Sequence, residues 1–95
     1  MKHVIVAPAL SIAQWAYRHN RDFESVNREN VRFLTDPCEI DRIKGYRATV
    51  HIVTSPRPFA LTRSQEDNWT RLVSEVRVLA KHCPRRITLK EVRLP

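Results

Sequence analysis

Short apolar runs along the chain alternate with longer segments that have helical spacing. Residues 3–7 are apolar at nearly every position and rich in β-branched side chains, which is typical of a strand covered on both faces. Residues 31–35 and 46–53 are also predicted to be strands, and residues 86–92 alternate between apolar and polar positions as an edge strand does. The pattern predicts four strands, with residues 48–53 best suited to a central position. Arg32 in the second run suggests an edge position for that strand.

The segments between the strands predict three helices and one connector. The first helix covers residue 9 to about residue 20, and the polar stretch of residues 21–30 is expected to be a connector anchored by Phe23 and Val26. A short helix is expected over residues 37–44. Asp36 is its predicted cap and Gly45 its predicted left-handed end.

The third predicted helix is the longest one. Ser64 is its predicted N-cap and Pro84 ends it. One face carries all of the apolar residues at helical spacing apart from Val78, namely Trp69, Leu72, Val73, Val76, Leu79, Ala80 and Cys83.

The predicted order of elements is β-α-β-α-β-α-β, which indicates a single α/β domain over residues 1–95. Alternating strands and helices favour a mostly parallel four-stranded sheet with right-handed crossovers and helices on both faces. This is a three-layer, Rossmann-like arrangement. Strand orders 2-1-3-4 and 3-2-1-4 both fit. The last strand can run in either direction, because Pro84 leaves few residues for a crossover.

The first helix is apolar on two sides. Leu10, Ala13 and Tyr17 form one stripe, and a second stripe consists of Ile12, Trp15 and Ala16. One stripe is enough to cover a sheet. The second is either covered by the rest of the domain or forms a self-association or partner face, which makes its three residues interface candidates for a homodimer.

In open parallel sheets the working crevice lies at the carboxyl ends of the strands. The loop after the third predicted strand supplies candidates for holding a phosphate or carboxylate there, namely Thr54, Ser55, Arg57 and Arg63. Asp36 also falls at this rim, but its capping pattern accounts for it completely.

The residue types present argue against most enzyme chemistry. Gly45 is the only glycine, so neither glycine-rich phosphate-binding motif can exist. The four histidines and two cysteines lack the spacing of a metal site, and His51 lies inside a predicted strand, where a packed side chain is the usual role. No motif of a nucleophilic hydrolase occurs. We therefore expect a protein that is not an enzyme, with no catalytic residues, no metal and no cofactor.

The charge balance favours an anionic partner. The chain has 17 lysine and arginine residues against 10 aspartate and glutamate residues, for a net charge of +7. Guanidinium groups suit phosphate and carboxylate better than ammonium groups do, and most of the basic residues are arginine. The candidates for a basic binding surface are Arg18, Arg21, Arg85, Arg86, Lys90 and Arg93. Those on the last strand can also protect a sheet edge against unwanted pairing.

The chain resembles small proteins of bacteriophages that infect actinobacteria. The resemblance lies in the opening Val4-Ile5-Val6-Ala7-Pro8, in residues 31–37 and in Thr54-Ser55-Pro56. It implies an accessory protein that binds a component of the host cell, and it carries over no catalytic residues. The sequence shows no secretion signal, no membrane-length apolar run and no paired cysteines, so a cytoplasmic protein is expected.

Three functions remain open at this point. The first is a binding protein that contacts a host protein or nucleic acid through its basic surface. The second is a protein that binds a small phosphate compound or nucleotide at the rim of strand ends. The third is a purely structural homo-oligomer.

Overall fold

The protein is built on one sheet of four parallel strands. The computed structural model describes residues 2–45 and 47–94. The strands are β1 (Lys2–Val6), β2 (Val31–Leu34), β3 (Ala48–Thr54) and β4 (Ile87–Arg93), and their order across the sheet is β2-β1-β3-β4. The predicted α/β class, the Rossmann-like arrangement and the central position of the third strand are confirmed. Tyr46, where that strand is predicted to begin, lies outside the described residues.

The last strand is parallel to its neighbour β3, with Ala48 opposite Ile87 and Thr54 opposite Arg93. The few residues after Pro84 suffice because α2 (Arg63–His82) is itself the crossover and carries the chain back to the start of the sheet. This resolves the two questions that the sequence left open, namely the strand order and the direction of β4.

Both faces of the sheet are covered. One core contains Val4, Val50 and Ile52 under α2 and the short helix that precedes β3, and α2 contributes Leu72 and Val76 to it. The other core lies under α1 (Leu10–His19). The predicted apolar stripe of α2 faces the first core, and the predicted anchor Phe23 is buried in the second. Each face of the sheet therefore has its own core, as a three-layer domain requires.

The short helix before β3 differs from its prediction. Residues Pro37–Ile43 form a 3₁₀ helix, and Gly45 does not adopt a positive φ angle, so the predicted left-handed end is wrong. The helix continues into an ordinary turn at Lys44, where no left-handed residue is needed. The predicted cap is confirmed, because the Cys38 N–H donates to the Asp36 carboxylate at 3.0 Å.

The start of α2 also needs correction. Its cap is Thr62 and not Ser64, which lies inside the first turn. The Gln65 N–H donates to Thr62 Oγ1 at 3.2 Å, and the Thr62 N–H donates to Gln65 Oε1 at 3.0 Å. These two reciprocal bonds satisfy the backbone N–H groups of Thr62 and Gln65. The capping pair expected from the sequence, Ser64 with Asp67, is not the one that forms.

Two histidines, the partly exposed His3 of β1 and the buried His51 of β3, lie in contact. His3 Nδ1 and His51 Nε2 are 3.1 Å apart, and the ring of Phe23 packs edge-on against His51. Among the described residues, Nδ1 of His51 is buried without a hydrogen-bond partner. A proton on Nδ1 would be an unsatisfied buried donor, so we assign the proton to Nε2, from where it is donated to His3.

We expect Thr62→Ala to lower the free energy of unfolding by about 1 kcal/mol, because the first turn of α2 loses its side-chain cap. Ser64→Ala is the matched control and should leave stability nearly unchanged, since Ser64 is exposed and does not cap. Urea unfolding followed by circular dichroism measures both. Equal losses in the two variants would contradict the assignment of the cap.

The histidine pair predicts a pH dependence of stability. Burial, then the nearby His3 and Lys90, lower the pKa of His51 from 6.5 to about 4, with Asp22 acting weakly in the opposite direction. The folded state thus binds a proton less readily than the unfolded state. The contribution of His51 to the free energy of unfolding is therefore at its full value above pH 6.5. It is lost as the pH falls towards 4, with a slope of at most about 1.4 kcal/mol per pH unit.

His51→Phe should therefore flatten the stability profile between pH 6.5 and pH 4 relative to the parent protein. The difference between the two profiles isolates His51 from the carboxyl groups that titrate in the same range. A difference that stays constant with pH would show that the pKa of His51 is the same in the folded and unfolded states.

Candidate functional site

Positive charge collects at one edge of the sheet. Because all four strands are parallel, every segment that leads into a strand arrives at the same edge, which we call the amino edge. The exposed basic residues at the first position of β1, at the ends of α1 and α2 and in the segments that enter the strands are Lys2, Arg18, Arg21, Arg28, Lys44, Arg47, Lys81, Arg85 and Arg86. More than half of the 17 basic side chains thus lie at this edge.

Few acidic residues oppose them. The corresponding segments contain only Asp22, Glu24, Glu29 and Asp41. Of the ion pairs in the described ranges, one involves the amino edge, between Lys44 and Asp41 at 2.8 Å. Within these ranges, Arg47, Arg85 and Arg86 form no ion pair. Most guanidinium groups at this edge are therefore free to meet an external anion.

Helix direction contributes to this distribution. Helices that connect parallel strands run back along the sheet, so α1 and α2 both end near the amino edge. Basic residues in the last turn of a helix are favoured by its dipole, and α1 ends with Arg18 and His19 while α2 ends with Lys81 and His82. The arginines at positions 47, 85 and 86 lie outside the helices, so the dipole does not account for them.

Four of the six predicted basic residues meet at the amino edge, namely Arg18, Arg21, Arg85 and Arg86. Lys90 lies in the middle of β4, opposite His51, and Arg93 lies at the other end of that strand, opposite Thr54. Both are exposed on an edge strand. Lys2, Arg28, Lys44, Arg47 and Lys81 belong to the amino edge but were not among the six candidates. Lys81 lies in the last turn of α2, and the other four lie shortly before or at the start of a parallel strand, which could have identified them once the topology was assumed.

The predicted anion site at the opposite, carboxyl edge has local structure of its own. The Thr54 carbonyl accepts a hydrogen bond from Leu94 N–H at 2.8 Å, and Ser55 Oγ accepts one from Arg57 N–H at 3.3 Å. Arg57 and the first residue of α2, Arg63, are exposed. The Ser55 hydroxyl thus supports the turn of its own loop. Ligand binding at this rim stays a prediction.

Most of the second apolar stripe of α1 is not exposed to solvent. Ala16 is completely buried and Ile12 packs against the core, so neither is exposed on the monomer, as an interface requires. Ala13 is also completely buried, which shows that the core-facing side of α1 lies between the two predicted stripes. The small alanines let the helix approach the sheet closely. Of the three interface candidates only Trp15 remains on the surface, with 41% of its area exposed.

The described residues offer little for covalent or metal chemistry. Cys38 is exposed, and the hydrogen bond to Asp36 raises the pKa of its thiol, which keeps it in the weakly nucleophilic protonated form. No group of three or more histidine, cysteine or acidic side chains that could hold a metal ion occurs in residues 2–45 and 47–94. Within the same ranges, neither helix has the length and apolar character needed to cross a membrane.

The fold and the distribution of charge are thus the features of the described residues that bear on function. Comparison with protein-family models finds no match, and comparisons with curated proteins and with solved structures find no significant match.

Proposed function

We propose that this protein is a non-enzymatic binding protein whose amino edge contacts the phosphate backbone of a nucleic acid. The observation that carries the proposal is the uneven charge: nine of the 17 basic residues, all nine exposed, meet at a single edge beside few carboxylates, and most of these nine form no ion pair within the described residues. A solubilising charge needs no such concentration. Phosphate contacts supply most of the affinity of proteins for nucleic acids without reading sequence.

The shape of the edge favours an extended polyanion. The domain measures 33 × 28 × 20 Å, and its strands are about 4.8 Å apart, so the basic side chains are spread over a width that several consecutive phosphates can follow. Arginine forms bidentate bonds to phosphate oxygens, which lysine cannot. An acidic protein would need a matching pattern of carboxylates over the same edge. The nucleic acid is therefore the simpler partner.

If the resemblance to phage proteins holds, this activity would be exerted in a host cell. In that setting the ligand would be nucleic acid that the phage and the host share, or a host protein with an acidic surface. If the protein still captures a partner from host lysate after the nucleic acids have been digested with nuclease, the partner is a protein, and this result would count against the proposal.

The test is the salt dependence of binding to DNA. For the parent protein we expect the logarithm of the association constant to fall linearly with the logarithm of salt concentration. The double variant Arg85→Ala/Arg86→Ala removes two amino-edge cations. It should weaken binding about tenfold and lower the salt slope by about two, since each phosphate contact contributes about one. Fluorescence anisotropy with a labelled duplex measures both quantities.

Arg57→Ala/Arg63→Ala is the matched control, because it removes the same charge from the opposite edge of the sheet. It should leave the affinity and the slope nearly unchanged. Equal effects of the two double variants would show that net charge, and not the amino edge, governs binding. A parent protein whose binding to DNA is flat with salt would overturn the proposal.

A further inference from the structure

The outer face of α1 is the second unusual surface of the molecule. Trp15 is exposed there, and its ring lies 4.6 Å from the ring of His19, one helical turn later, at an interplanar angle of 38°. Arg18 follows Trp15 by three residues and therefore shares its side of the helix. The helix contains no acidic residue. Within α1, the aromatic pair of Trp15 and His19 thus has Arg18 beside it and no carboxylate.

A cleft beside this face repeats the same combination. It lies between α1 and β2 and is lined by Gln14, Tyr17, Arg18, Arg28 and Phe33. The guanidinium of Arg28 lies over the ring of Phe33, 4.2 Å from its centroid, and donates a hydrogen bond to the Val31 carbonyl at 2.6 Å. Arg18 belongs to both the cleft and the Trp15 face. The two therefore form one continuous strip of arginine and aromatic side chains, which consists of Trp15, Arg18, His19, Arg28 and Phe33.

Other exposed apolar side chains lack this setting. Val78 is 52% exposed, but the groove around it carries charges of both signs, with Glu75 beside Lys44 and His82. Leu10 is equally exposed and is not aromatic. Only the Trp15 strip among these surfaces offers flat rings next to cations without a neighbouring carboxylate on its helix. That combination matches nucleic acid in which bases as well as phosphates are accessible.

We infer that this strip binds single-stranded nucleic acid, with an unpaired base stacked on the exposed ring of Trp15. Arg18 would contact the adjacent phosphate, and the next nucleotide would enter the cleft beside Arg28 and Phe33. Bases in a duplex are stacked on each other and do not present their faces, so the strip adds affinity only for single strands. This inference rests on the proposed function, because the amino edge supplies the remaining phosphate contacts.

The experiment compares Trp15→Ala with the parent protein on single-stranded and duplex DNA. The probes are labelled oligothymidylate of roughly twelve nucleotides, within the usual range of site sizes, and the same strand paired with oligoadenylate. Trp15→Ala should weaken binding to the single strand by roughly 5- to 100-fold and leave duplex binding unchanged. Trp15→Phe should retain most of the affinity, because a ring remains. An oligouridylate arm shows whether RNA or DNA is preferred.

Val78→Ala is the matched control, since it shortens an exposed apolar side chain of α2, on the other face of the sheet. It should change neither affinity. A direct signal comes from the Trp69→Phe background, where Trp15 is the single tryptophan and its fluorescence should be quenched by oligothymidylate. This signal reports contact with the ring even if the affinity of a variant changes through its stability.

The outcomes separate the two proposals. If Trp15→Ala leaves single-strand affinity unchanged and oligothymidylate does not quench Trp15 in the Trp69→Phe background, while Arg85→Ala/Arg86→Ala weakens binding to both probes, the inference about the strip is wrong and the proposed function stands. If the parent protein binds neither probe, both proposals fail. If Trp15→Ala instead converts a dimer to a monomer by light scattering and does not alter single-strand binding, the face serves self-association and the inference is overturned.

Discussion

Parallel pairing of all four strands is the constraint on which the rest of this molecule depends. In an antiparallel sheet, strand beginnings and ends alternate along each edge, whereas here every strand begins at one edge and ends at the other. The two edges are therefore chemically different surfaces. Arg47 and Arg86 come to the same side of the domain because they precede strands that run in one direction. Arg18 joins them because it lies at the end of a helix that runs back to the beginnings of the strands.

The same constraint determines how the faces are covered. With strand order β2-β1-β3-β4, right-handed crossovers place α1 on one face and the two later helical segments on the other. The α1 face must then be completed over β3 and β4 by parts that are not long helices. Phe23 from the connector after α1, and Phe59 and Leu94 from the carboxyl edge, pack into this core. The connector is thus a structural part of the domain, and the ring of its anchor Phe23 also makes edge contacts with His3 and His51.

The sequence predicted the class, the number of strands and the core of the long helix, because these follow from residue periodicity. It did not predict the face of α1, since Ala13 and Ala16 are small and their burial depends on how closely the helix approaches the sheet. The sequence pattern placed the α2 cap two residues late, because serine and threonine are both good capping residues. Thr62 is the cap because its N–H also donates a hydrogen bond to the side chain of Gln65. Of the candidate site, four arginines were identified from clustering, but their convergence on one edge requires the strand directions.

Two different roles for basic residues follow from their positions. Lys90 and Arg93 lie along β4, whose free side could pair with another strand, and charged side chains on an edge strand discourage such pairing. Arg85 and Arg86 precede that strand and therefore lie at the amino edge, together with cations from the other segments. A requirement for solubility would be met by charges spread over both edges and both helices. The higher density of cations at one edge, next to the exposed ring of Trp15 on α1, is the distribution expected under the proposed binding of an extended anionic ligand with stacking bases.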